Sequence, residues 1–220
     1  MNIVLLGKPG AGKGFISKYL KENYGFTHIS TGDICRKNIK EQTPVGIQAE
    51  EYCKQGKLVP LALILQMLKQ ELKTKADVGF ILDGFPRTVE QAKELESMIN
   101  IDAVLFVDVP DKHILERISK RRICPVCSKM YSVDEVENER CPVCGEKLIT
   151  RADDDLDVAV NRLDIYEKET KPLIDYYKDK LVTIDNSGKI EQTHLKVNEI
   201  IQKLLQNIGE NIWFVELKRT

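Results

Sequence analysis

The chain has 220 residues, 42% of them apolar and 30% charged, and a formal net charge of -1. That length buries a full core as one domain with room for small insertions. The near-neutral charge argues against a broad nucleic-acid footprint, and no apolar run reaches the ~20 residues of a membrane-spanning helix.

Met1 leads straight into the apolar run 3–6 with no basic stretch before it, so a first strand is expected rather than a signal peptide, and a cytoplasmic location with it. Residues 12–23 follow as a helix with Ile16, Tyr19 and Leu20 on one face, and 26–29 as a short strand. Residues 61–72 repeat leucine at helical spacing (Leu61, Leu65, Leu68), and 79–82 form a strand closed by Asp83. A helix over 90–99, a strand over 103–107 and a helix over 111–120 come next. Residues 155–178 read as one long helix or two with a break at Pro172, 181–184 as a last strand and 195–205 as a last helix. The tail after Gly209 alternates like a strand and carries no assigned function. Short apolar strands separated by helices imply an α/β fold with a five-stranded parallel sheet, whose ligands bind beyond the carboxyl ends of the strands.

Gly7-x-x-x-x-Gly12-Lys13 follows a strand and opens a helix, the setting of a phosphate-binding loop, or P-loop. Backbone N–H groups of Gly10, Ala11, Gly12, Gly14 and Phe15 would cradle phosphates at a helix N-terminus, with Lys13 supplying a mobile charge. Gly14 stands where the general motif has a hydroxyl for Mg2+, so the ion is expected to be held through water by a carboxylate, with Asp83 the candidate. Cys124, Cys127, Cys141 and Cys144 form two Cys-x-x-Cys pairs, which suit a closed, structural zinc, although the same thiolates accept iron or cobalt. Cys35 and Cys53 belong to no motif and read as small apolar residues in helices.

Gly-x-Pro-Gly-x-Gly-Lys-Gly, Ile29-Ser30-Thr31-Gly32-Asp33 and Asp83-Gly84-Phe85-Pro86-Arg87-Thr88 stand in the order and spacing of adenylate kinases, and the chain resembles the bacterial long-lid, zinc-containing type. The resemblance implies a core of 1–29, 60–119 and 155–220, a helical monophosphate-binding insertion over 30–59, and a lid over 120–154. It assigns AMP contacts to Thr31, Arg36, Lys57, Leu58, Val59, Gly84, Phe85, Pro86, Arg87, Gln91, Arg151 and Arg162, with the Gln91 amide reading the adenine edge. It sets Arg117 against the ATP adenine, Met130, Tyr131 and the Ile190 region beside ATP, and Arg121, Arg151 and Arg162 around the transferred phosphoryl. Arginine suits these places because its planar fork binds phosphate oxygens bidentately and stays charged.

The implied reaction is Mg2+-dependent transfer from ATP to AMP giving two ADP, by a monomer. Lys13, Arg87, Arg121, Arg151 and Arg162 would serve as its catalytic residues, with no general base, and His28, His113 and His194 as structural residues. Phe15 departs from the family's Thr and puts ATP affinity and rate, though not reaction type, at issue. Three rivals remain: a kinase for another nucleoside monophosphate, a nucleotide-binding zinc ribbon for nucleic acid, and a nucleotide binder without turnover. The acidic run 134–139 opposes the second, since it would repel a phosphate backbone.

Overall fold

Ile3, Val4, Leu5 and Leu6 are each at most 2% exposed, as an apolar strand covered on both faces requires. In the computed structural model, which describes residues 1–72, 79–188 and 190–207, they form β1 (Ile3–Leu6) at the centre of the sheet. The tail after Gly209 lies outside the described residues. In chain order come α1 (Lys13–Tyr24), β2 (Thr27–Ser30), α2 (Thr31–Lys40), α3 (Pro44–Lys54), α4 (Leu61–Leu72), β3 (Phe80–Asp83), α5 (Val89–Met98), β4 (Ala103–Asp108) and α6 (Asp111–Lys120). They are followed by β5 (Arg121–Ile123), β6 (Met130–Ser132), α7 (Leu156–Ile165), α8 (Leu173–Tyr176), β7 (Leu181–Asp185) and α9 (Ile190–Asn207).

The five-stranded sheet runs β2-β3-β1-β4-β7, every pairing parallel, as the sequence implies. Alternation along each strand divides the core. Val4, Leu6, Leu82 and Val104 face a layer containing Leu68, Leu95 and Leu173, while Ile3, Leu5, Ile81 and Leu105 face one containing Ile16, Ile114 and Val197. The chain leaves β1 for one side of the sheet and returns through β4 on the other. The order therefore reverses at the carboxyl end of β1, the place where such sheets bind ligands.

Two expectations are refined. The stretch 155–178 is neither one helix nor a plain pair: α7 widens into a π-helical turn, Tyr166–Thr170, before α8. Pro172 lacks an N–H and its ring crowds the preceding turn, which accounts for the widening. The last helix starts at Ile190, not 195, because its first turn is polar and carries no apolar period.

The chain between β2 and α4 folds into α2 and α3, each with a side-chain cap. Ser30 Oγ accepts from Asp33 N–H at 3.2 Å, and Thr43 Oγ1 from Gly46 N–H at 3.1 Å with Pro44 in the first turn. The helices touch through backbone: a Cβ on Gly46 would fall 2.2 Å from the Asn38 carbonyl oxygen. Between α6 and α7, β5 and β6 form an antiparallel hairpin whose turn holds Cys124 and Cys127, and a second turn closed by an Arg140–Lys147 bridge brings Cys141 and Cys144 against it.

Candidate active site

Gly12, at φ 95°, caps α1, and a Cβ there would lie 2.4 Å from the Asn186 amide, so glycine is the residue the turn admits. Lys13 folds back across its own loop, donating to the carbonyls of Gly7 at 2.7 Å and Lys8 at 2.9 Å. Burial pushes its pKa down to about 8; Asp83 opposes this, while Arg87, Arg162 and Arg121 add to it. Asp83 would be pushed up by its own burial, yet His28, Lys13 and Arg87 outweigh that and hold it below the usual carboxylate range. His28 Nε2 stands 3.6 Å from Asp83 Oδ2, so a residue read from sequence as structural lies at the edge of the site.

Two clefts open around this centre. The first, about 930 Å3, is lined by Gly10, Gly12, Lys13, Gly14, Phe15, Arg117, Arg121, Met130, Tyr131 and Ile190. The second, about 1170 Å3, is lined by Thr31, Arg36, Lys57, Leu58, Val59, Gly84, Phe85, Arg87 and Gln91. Arg36, Arg87, Arg151 and Arg162 line both, so the clefts meet at an arginine wall. Ala11, within the loop, is buried and its N–H donates to Lys8 O at 3.1 Å, and Pro86 lines the first cleft and not the second.

Carboxylates and carbonyls aim the wall. Asp154 takes Arg121 in a two-pronged pair, one arm at 2.7 Å, and Asp153 takes Arg162 at 2.9 Å. Arg36 pairs with Asp33, Arg87 Nε donates to Gly84 O at 2.8 Å, and Arg117 donates to Asn186 O at 2.8 Å. Arg151 Nε is buried and, among the described residues, has no acceptor. Thr88 caps α5 by accepting from Gln91 N–H, and Gln91 Oε1 accepts from Arg87 N–H at 2.7 Å. Gln91 thus presents its NH2 group and one remaining lone pair to the cleft. The π-helical turn also serves the site, because Thr170 Oγ1 donates to Arg87 O at 2.9 Å.

Asn186 has no sequence signature, yet it ties the loop to α9. Its Nδ2 donates to Ala11 O at 2.7 Å and its Oδ1 accepts from Thr193 at 2.8 Å, both buried. Asn186→Ala strands these groups and is expected to cost about 1–3 kcal/mol, read as a lower urea midpoint at unchanged slope. Phe15, expected only to delete a hydroxyl, instead stacks on His194 at 4.7 Å, and His194 stacks on Tyr19 at 4.1 Å.

The four hairpin sulfurs lie within 4.8 Å of one another. Cys124–Cys144, Cys127–Cys141 and Cys127–Cys144 are separated by 3.4, 3.5 and 3.9 Å. A tetrahedron with metal–sulfur bonds of about 2.3 Å has edges of about 3.8 Å, so the donor set fits zinc. The Tyr131 hydroxyl contacts Cys141 Sγ at 3.4 Å and lowers that thiol to about 6, as a donor to a thiolate does.

A family model described as adenylate kinase matches residues 5–182. The chain is 47% identical over 203 residues to the adenylate kinase of Clostridium kluyveri, covering 87% of this chain and 94% of the relative. It is 42% identical over 218 residues to that of Clostridium tetani, covering 95% and 99%.

Proposed function

The chain belongs to the adenylate kinase family and is an ATP:AMP phosphotransferase, and from that premise we propose how its residues perform the transfer. ATP takes the first cleft with its phosphates in the glycine loop, and AMP takes the second with its adenine at Gln91. The observation that carries this reading is the wall of four arginines common to both clefts, where a donor and an acceptor phosphate would meet.

Arg36 and Arg87 hold the AMP phosphate, and Lys13, Arg121, Arg151 and Arg162 offset the charge spread over the moving phosphoryl group. The acceptor is a phosphate monoester with a second pKa of about 6, already ionised near neutrality, so in-line attack needs no general base. Asp83, held ionised, suits Mg2+ through water; the bound ion would neutralise charge on the ATP oxygens. Residues 120–154 act as a lid, 30–59 as the monophosphate insertion, and the rest as the core. Lid closure excludes the water that would compete with AMP.

Cys124, Cys127, Cys141 and Cys144 would hold a structural zinc, which would shape the lid and take no part in the transfer. Both clefts are lined by one chain, which suits a monomer. Free thiols ask for a reducing compartment, hence the cytoplasm, and no helix among the described residues is long and apolar enough to cross a membrane. The test is ADP formation from MgATP with AMP, UMP, CMP and GMP in turn. AMP is expected to have the highest kcat/KM, and an equal or better rival would overturn the assignment of the second cleft.

A further inference from the structure

We propose that His194, seated between the rings of Phe15 and Tyr19, is a positioning residue for ATP: it holds the Phe15 ring and the first turn of α9 at the wall of the first cleft. Its ring lies 4.7 Å from that of Phe15 with 4° between the planes, and 4.1 Å from that of Tyr19 at 19°. Phe15 and Tyr19 stand four residues apart on α1, hence one above the other on the same face. Ile190 and His194 have the same spacing on α9. His194 therefore enters between two rings of α1 as a knob, with Ile190 one turn nearer the start of its helix. Phe15 and Ile190 line the first cleft, and neither His194 nor Tyr19 does.

Ring contact makes this seat, not hydrogen bonding. His194 Nε2 is buried and, among the described residues, has no hydrogen-bond partner. Burial lowers its pKa, with Glu191 opposing, so the ring is uncharged near neutrality and stacks as an aromatic surface. The preceding residue, Thr193, hydrogen-bonds Asn186, which in turn holds the Ala11 carbonyl. Consecutive residues of α9 thus fasten the glycine loop and the ring that follows it.

Phe15 follows Gly14 directly, so whatever fixes its ring also fixes the first turn of α1. Without His194 the ring has room to change rotamer, and Ile190 loses the brace one turn behind it. Both changes act on the first cleft and spare the second, which none of Phe15, Tyr19, Ile190 and His194 lines. The assignment to ATP rests on the function proposed above; the stack itself does not.

The experiment compares His194→Ala and His194→Phe with the unaltered full chain, reading the KM of donor and acceptor, kcat and Tm. In His194→Ala the ATP KM is expected to rise about tenfold while the monophosphate KM and kcat hold. His194→Phe keeps the stack and gives up no hydrogen bond, so its ATP KM should stay within about twofold of the unaltered chain. In a Phe15→Leu chain, which already lacks the partner ring, His194→Ala should add less than about twofold. Should His194→Ala fail to fold, His194→Leu, which fills the space without a ring, takes its place under the same criteria. A lower Tm with both KM values unmoved, or equal rises in both, makes His194 merely structural and overturns the proposal. So does a His194→Phe chain that behaves as His194→Ala, or a full tenfold rise that persists without the Phe15 ring. The ATP KM is measured with whichever monophosphate proves the best acceptor, so a wrong acceptor assignment leaves this test standing, and a negative result here leaves that assignment standing.

Discussion

Replacing Lys13 with Met is expected to lower kcat/KM by about 10³-fold, because the loop's other lysine, Lys8, has its ammonium paired with Asp111 and Glu167 and does not line the cleft. A pH profile of the unaltered chain adds a sharper criterion. Burial lowers Lys13 to about 8, so free enzyme loses this charge as pH rises through that value. The kcat/KM for ATP, which reports free enzyme, should fall above about pH 8, while kcat holds to higher pH because bound phosphates keep the ammonium charged. The folding linkage has the opposite sign. Below about 8 the lysine is protonated in both states and its burial penalty is present in full. Between there and its ordinary value the unfolded chain binds more protons, so this group's contribution to stability rises with pH. A Lys13→Met chain retaining more than a tenth of its activity, or the same alkaline limb in both kcat and kcat/KM, would remove Lys13 from the role assigned to it.

The second large effect concerns the cysteine hairpin. The buried cluster that Cys124, Cys141 and Leu148 form there, with Tyr131 and Val136 against it, is too small to hold shape alone. Chelation, or Cys124→Ser, is expected to cost about 4 kcal/mol or more, a fall of about 10 °C in Tm for a chain of this length. Activity measured well below that temperature should outlast the metal, since none of the groups proposed to touch the phosphoryl is a thiolate. Metal analysis finding well under one zinc per chain, or activity lost from a hairpin that circular dichroism reports as still folded, would end this division of labour.

Much of the architecture was legible because its physics is local. A parallel strand covered on both faces must be an apolar run, and a turn that cradles phosphate must be glycine-rich, so β1, β3, β4 and the loop before Lys13 announce themselves. Helices α2 and α3 were indicated only by the family resemblance, although α2 sets Cys35 inward and charged residues outward as an amphipathic helix does. What stayed hidden are contacts between residues far apart in sequence. Asn186 meets Ala11 across 175 positions, and His28 reaches Asp83 only because β2 and β3 pair in register. Phe15 looked like a lost hydroxyl, and its ring partner came from a helix whose start carried no readable period.

The arginine wall has one more implication. Burial lowers Arg151 to about 10, and Arg36 and Arg121 push it further the same way. Asp153 and Asp33 oppose this only in part, and the Arg151 Nε keeps no acceptor among the described residues. Of the wall's arginines it is the one whose charge is least balanced from within the protein, so an anion brought to the junction of the two clefts gains most there. The junction is thus an anion site by its own charge, whatever base the anion carries.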